Sequence, residues 1–254
     1  MKPLHYIIFH PDYAREQLTI KGKAIVNGLP ENWTGAVWVD AAGDNEDPFV
    51  LCENWLYSYC HAIQLRRTPS SKKPYVKEGS YLFFCSGDAA DRGEIKVDTV
   101  FVVARVAEWP RHVEGLPLEF HEHYQNAKSD LWNYHFRFPF SGQHKGIYTY
   151  VAKTWSRGGN GYSFLPIDAG GNRVSFSLAA FTPYLKRAIE DKVYMKRPVM
   201  LEEDHKNMIL KSIHSSAAVK VIQVHTRRTQ PEAGIVTACR RPGDSIALAM
   251  NTCG

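Results

Sequence analysis

Between Gly146 and Leu178 the chain alternates short apolar runs with glycine-rich punctuation: "GIYTYVAKTW", "SRGGNG", "YSFLPID", "AGGN", "RVSFSL". Gly and Asn reach positive φ at little cost, so the punctuating stretches reverse the chain. Short β-branched and aromatic runs about ten residues apart, separated by such turns, build antiparallel sheet or a barrel. The pattern predicts a meander of strands over 146–155, 162–168 and 173–178.

Other segments extend the sheet. "LHYIIF" (4–9) reads as a strand. Strands over 23–26 and 35–40 come next, with turn chemistry at Asn27-Gly28 and Gly43-Asp44. "YLFFCS" (81–86) and "DTVFVVARV" (98–106) are the strongest strand signals and predict an antiparallel pair near the sheet centre. "AAVKVIQVHT" (217–226) is a last strand. Helical spacing occurs three times. Asp47-Pro48 resembles a helix start, and Leu51, Trp55, Tyr59 and Ile63 recur behind it, predicting a helix over 48–66. Thr182-Pro183 opens a second helix with Leu185, Ile189 and Val193 on one face. "LEEDHKNMILKSIH" is a third, with Met208, Ile209 and Ile213 inward. The fold class is therefore α+β: a mostly antiparallel curved sheet of about eight to ten strands, or a partly open barrel, with about three helices. Residues 1–229 read as a single α+β domain and 230–254 as a loosely packed C-terminal tail.

At 254 residues the chain is long enough for a full core, and 44% hydrophobic with 22% charged residues is ordinary for a soluble globular protein. No run of about 18 apolar residues is present, so no membrane partner is expected. "MKPLHYIIFHPDY" has too short an apolar run for a signal peptide. The five cysteines (Cys52, Cys60, Cys85, Cys239, Cys253) are odd in number and form no CxxC, which fits free thiols in the cytoplasm. The net charge of +5 is concentrated: Tyr184–Arg228 carries ten Lys/Arg against five Asp/Glu. Lys186, Arg187 and Arg197 lie in this segment. It reads either as solvated helix faces or as an electrostatic footprint for phosphates.

Two constellations could carry chemistry. In "FHEHYQNAKSDLWNYHFRFPFSGQHKG", His121 and His123 share a face if the backbone is extended and chelate a transition metal there, whereas in a helix they diverge. A third ligand would come from His135, His144 or Asp130. Without a metal, His135 or His144 is the candidate general base. The bland reading is a histidine-rich polar loop. The second constellation is aromatic and basic. "LWNYHFRFPF" places Trp132, Tyr134, Phe136, Phe138 and Phe140 on one face of a strand, where rings fill a core or receive a base. Pro139 ends or edges that strand, leaving Trp132 and Phe140 as the ring candidates. Trp109 and Trp155 also stand at strand ends. "AKTWSRGGNG" adds Lys153 and Arg157 to backbone amides that can cradle an anion, although a plain hairpin turn accounts for its glycines as well. Neither GxxxxGK[ST] nor GxGxxG nor GxSxG occurs. Cys85 reads as a small buried thiol.

"VKEGSYLFFCSGD…KVDTVFVVARVAEW" resembles the sheet segment of PUA-like base-binding barrels, the group that includes EVE, ASCH and YTH domains. It is also similar to a nucleotide-modification-associated domain class. There an "LFLFFG"-like strand precedes a His-bearing stretch and an "NTIYVA"-like strand, matched in order by Tyr81–Cys85, His121/His123 and Gly146–Ala152. The resemblance spans about residues 75–155. Cys85 replaces the expected Gly, and Lys145-Gly146 the expected Asn. It implies association with nucleic acid or modified nucleotides.

The expected function is thus a nucleic-acid or modified-nucleotide binding protein, accessory to DNA or RNA modification. The alternative is a metal-dependent nuclease or nucleotide hydrolase using the 121–144 histidines. A third reading is an interaction domain whose rings lie in the core.

Overall fold

The computed structural model describes residues 3–11, 15–40, 48–51, 54–58, 65, 76–87, 93–108, 148–183, 186–187, 189 and 198–225. These form a mostly-β body of two sheets. The larger, mixed sheet has the order β10-β1-β5-β6-β7-β4, with β9 also on β6; the smaller is antiparallel, β3-β2-β11-β8. Their strands are β1 (His5–Pro11), β2 (Arg15–Val26), β3 (Leu29–Asp40), β4 (Leu56–Ser58), β5 (Tyr81–Gly87), β6 (Glu94–Glu108), β7 (Tyr148–Ala152), β8 (Leu165–Ile167), β9 (Val174–Ser177), β10 (Val199–Leu201) and β11 (Val219–Val224). Helix α1 spans Glu203–Ser216. No closed barrel forms among the described residues, and the single sheet expected is in fact two.

Both faces of the mixed sheet are covered, which explains the near-continuous burial of "YLFFCSG" in β5. Ile8, Leu82, Phe84 and Phe101 pack on Ile20, Val37, Val39 and Val221 of the smaller sheet. On the opposite face Ile7, Phe83, Cys85 and Val100 meet Ile209 and Ile213 of α1. Alternation along the strands sorts these residues, and bulges reset it. Between Phe84↔Thr99 and Cys85↔Val97 the extra residue is Asp98, so Val97 and Val100 face the same layer. In β11 the extra residue is Ile222; it reaches the α1 layer while Val221 and Val224 face the other sheet.

β5 and β6 pair antiparallel at the centre of the mixed sheet, as expected. Asn27 (φ 51°) and Gly28 (φ 81°) make the tight turn between β2 and β3, both longer than the sequence suggested. The second helix begins as expected: Lys186 N–H donates to Thr182 O at 2.9 Å, and Ile189 is buried.

Two expectations fail. No helix runs through the described part of 48–66. Phe49 and Leu56 exchange both backbone hydrogen bonds (2.8 and 3.1 Å), and Leu56–Ser58 is a strand on β7. Phe49, Val50, Leu51, Trp55, Leu56 and Tyr57 are all buried, so their apparent helical period reflects burial on every side. The meander also fails. β7 pairs with β4 and β6, β8 with β11, and β9 with β6. Only the single bridge Ile167↔Arg173 joins neighbouring members of that run.

Candidate functional site

The glycine-rich stretch after β7 is a loop anchored at both ends. Lys153 N–H donates to Val102 O (2.6 Å), and Ser163 N–H donates to Lys153 O (2.8 Å). The buried Ser163 hydroxyl accepts from Val102 N–H at 2.8 Å and donates to Val102 O at 3.2 Å. It takes the place of a strand neighbour there. Inside the loop Gly159 N–H donates to Ser156 O (3.0 Å), and the Lys153 ammonium donates to Asn160 O (2.9 Å). Gly161 has φ +69°, and a Cβ on it would come within 3.0 Å of the Tyr81 hydroxyl. Glycine is needed there for conformation and for space. Trp155 is half-buried and Arg157 exposed. The loop thus presents a ring and a guanidinium two residues apart on a fixed frame, with the tethered Lys153 beside them in sequence.

Tyr81, against which Gly161 rests, belongs to a polar clamp. Tyr81 N–H donates to His5 Nδ1 at 3.0 Å. The His5 proton must then sit on Nε2, which donates to Glu203 Oε2 at 3.0 Å. The Lys206 ammonium donates to the other Glu203 oxygen and lies 5.1 Å from the Tyr81 ring centroid. The His5 ring meets Tyr81 edge-on at 5.7 Å. Burial holds His5 below its ordinary pKa, against the opposing pull of Glu203. Hydrogen bonds from Lys206 and then His5 lower the Glu203 pKa. Burial raises that of Tyr81. With both ring nitrogens engaged, His5 is a neutral cross-link between β1, β5 and α1, not an available general base.

A second polar cluster joins the two sheets. Asp98, its side chain 1% exposed, lies 3.0 Å from Arg173 Nη1 and 3.3 Å from Arg15 Nε. Ser86 Oγ donates to Asp98 (3.3 Å) and accepts from Arg173. The Arg173 guanidinium lies 5.3 Å from the Trp38 ring centroid. Cys85 beside this cluster is fully buried, and burial raises its thiol pKa well above the ordinary value. That agrees with a structural thiol.

Lys153, Trp155 and Arg157 all lie on this one loop. Lys186 (half-buried) and Arg187 (exposed) belong to the helical stretch after Thr182, a separate element. Trp109, Trp132, Phe140, His121, His123, His135, His144 and Arg197 lie outside the described residues, as does all of 131–140. Among the described residues no group of three His, Cys, Asp or Glu could hold a metal ion, and no helix is long and apolar enough to cross a membrane. Sequence reading missed His5, Tyr81, Glu203 and Lys206, and the Asp98 cluster. The available signals were a histidine inside "LHYIIF" and an aspartate inside "IKVDTVFVV": polar residues in buried runs need partners. Comparison with protein-family models, curated proteins and solved structures gives no match to this chain.

Proposed function

We propose that the chain binds nucleic acid or modified nucleotides through the Lys153–Gly161 loop, with Trp155 as the stacking ring and Arg157 as the phosphate contact. The observation that carries this reading is the anchored display of a partly exposed tryptophan beside an exposed arginine. Stacking on a ring accepts any base, and a loop already fixed in place has little conformational entropy to lose on binding. The net charge of +5 allows a polyanionic partner. The resemblance of 75–155 to PUA-like base-binding barrels points the same way. The proposal includes that likeness: the two sheets would be the walls of a partly open body of that kind.

Loss of one stacked base costs about 1–3 kcal/mol, or roughly 5- to 150-fold in affinity. Trp155→Ala is expected to weaken binding to a single-stranded oligonucleotide within that range, while thermal unfolding stays close to the parent's. Equal affinity in a folded Trp155→Ala protein would remove the loop from the binding surface.

A further inference from the structure

We propose that His5 is an acid-operated latch that releases the first turn of α1 from the mixed sheet. Three segments converge on this ring. Its own strand, β1, pairs with β5 and β10, and His5 stands opposite Leu201. β5 supplies the Tyr81 N–H to Nδ1. The first turn of α1 supplies Glu203 to Nε2. Both ring nitrogens are thereby used, one as acceptor and one as donor, and the residue is 2% exposed.

Protonation reverses the role of Nδ1. The imidazolium has N–H on both nitrogens, so Nδ1–H would point at the Tyr81 N–H 3.0 Å away. A donor facing a donor cannot persist in a buried site, and the strand ladder holds Tyr81 in place. The ring must therefore leave its seat to take up a proton. The charged groups acting on it both come from α1: Lys206 opposes the added charge and Glu203 favours it. β5 adds the neutral Tyr81 phenol, whose pKa is raised, and β10 adds apolar Leu201. Burial, the largest influence, opposes the charge. The closed form binds the proton less readily than the open form, so closure is fully favoured above the ordinary histidine value of 6.5 and weakens as pH falls below it. Glu203 contributes in the same direction only nearer its own ordinary value of 4.5.

A second half-buried histidine on this helix, His214, stacks on Phe164 at 5.6 Å and is also held below its ordinary pKa. It lies in the last turn, so the two ends of α1 separate the contributions.

The test is residue-resolved hydrogen exchange of the full chain at pH 7.0 and 5.0, corrected for the intrinsic pH dependence of amide exchange. An open state in which His5 regains its ordinary pKa of 6.5 is favoured by up to about 30-fold at pH 5.0. First-turn amides of α1 are expected to lose protection at pH 5.0 relative to pH 7.0, by at most about 25-fold, with the β5–β6 amides unchanged. His5→Gln, which keeps a side-chain donor but does not titrate, should abolish the first-turn effect; His214→Gln should leave it intact. If His5→Gln does not fold, the imidazole NMR titration of the parent decides. A ring that titrates near 6.5 in the folded protein, or first-turn protection equal at both pH values, overturns the latch.

Discussion

Asp98→Ala is expected to cost the fold about 3–5 kcal/mol. The carboxylate stands between two guanidiniums, with side chains 3% exposed for Arg15 and 10% for Arg173. Removing it takes a buried counter-charge from both guanidiniums. The loss also reaches Ser86, whose hydroxyl lies between Asp98 and Arg173. Asp98→Asn keeps the shape and one acceptor but not the charge, and should fall between alanine and the parent. Urea denaturation of the three proteins checks the order. A loss below about 1 kcal/mol for alanine would mean the arginines reach solvent without it.

Gly22→Ala is the second large effect, at about 3 kcal/mol. The bulge at Ile222 brings the β11 backbone close to β2, so a Cβ on Gly22 would lie within 3.0 Å of the Gln223 carbonyl oxygen. Backbone is on both sides, and no rotamer change relieves the overlap. Gly28 offers the contrast. Its φ is +81° and nothing lies within 4 Å of a Cβ there, so Gly28→Asn meets only the modest left-handed penalty that Asn tolerates. Thermal unfolding should show Gly22→Ala well below Gly28→Asn. Equal melting temperatures would show that β11 can shift away from β2.

These two positions also mark how far the sequence could be read. β1, β5 and β6 were legible because β-branched and aromatic residues are concentrated in them. The Asn27-Gly28 turn was legible because its dipeptide encodes positive φ. α1 was legible from its 3.6-residue spacing, with Ile209 and Ile213 buried as expected, whereas Met208, also expected inward, is exposed. Pairing between distant segments was not legible. The glycine-rich stretch after β7 does turn the chain back, since Ser163 bonds to Lys153. The next strand, β8, nevertheless enters the other sheet, because Val221 and Ala24 provide the apolar surface that Leu165 and Ile167 need. Local turn chemistry says that a chain reverses; long-range burial decides which strand receives it. The stretch over 48–58 misleads for a related reason. Phe49, Leu51, Trp55 and Tyr57 are buried together, and apolar residues buried at successive positions do not mark which period places them there.

The candidate site was legible in part. Lys153 and Arg157 came from one local motif, and Trp155 from its place at a strand end. The clamp behind them was not legible, since His5, Tyr81 and Glu203 come from three elements separated by up to 198 positions in the chain. Each looked ordinary in its own segment. Their shared role appears only when β1 and β5 pair in parallel and α1 covers them.

If the 153–161 loop contacts phosphates and bases as proposed, affinity for a single-stranded oligonucleotide falls across a rising salt series. For single strands each phosphate contact contributes about −0.7 to the slope of log affinity against log salt. The parent protein is expected to give a negative slope, and Arg157→Ala one shallower by about 0.7. A slope indistinguishable from zero, or one unchanged in Arg157→Ala, would contradict the proposed contact.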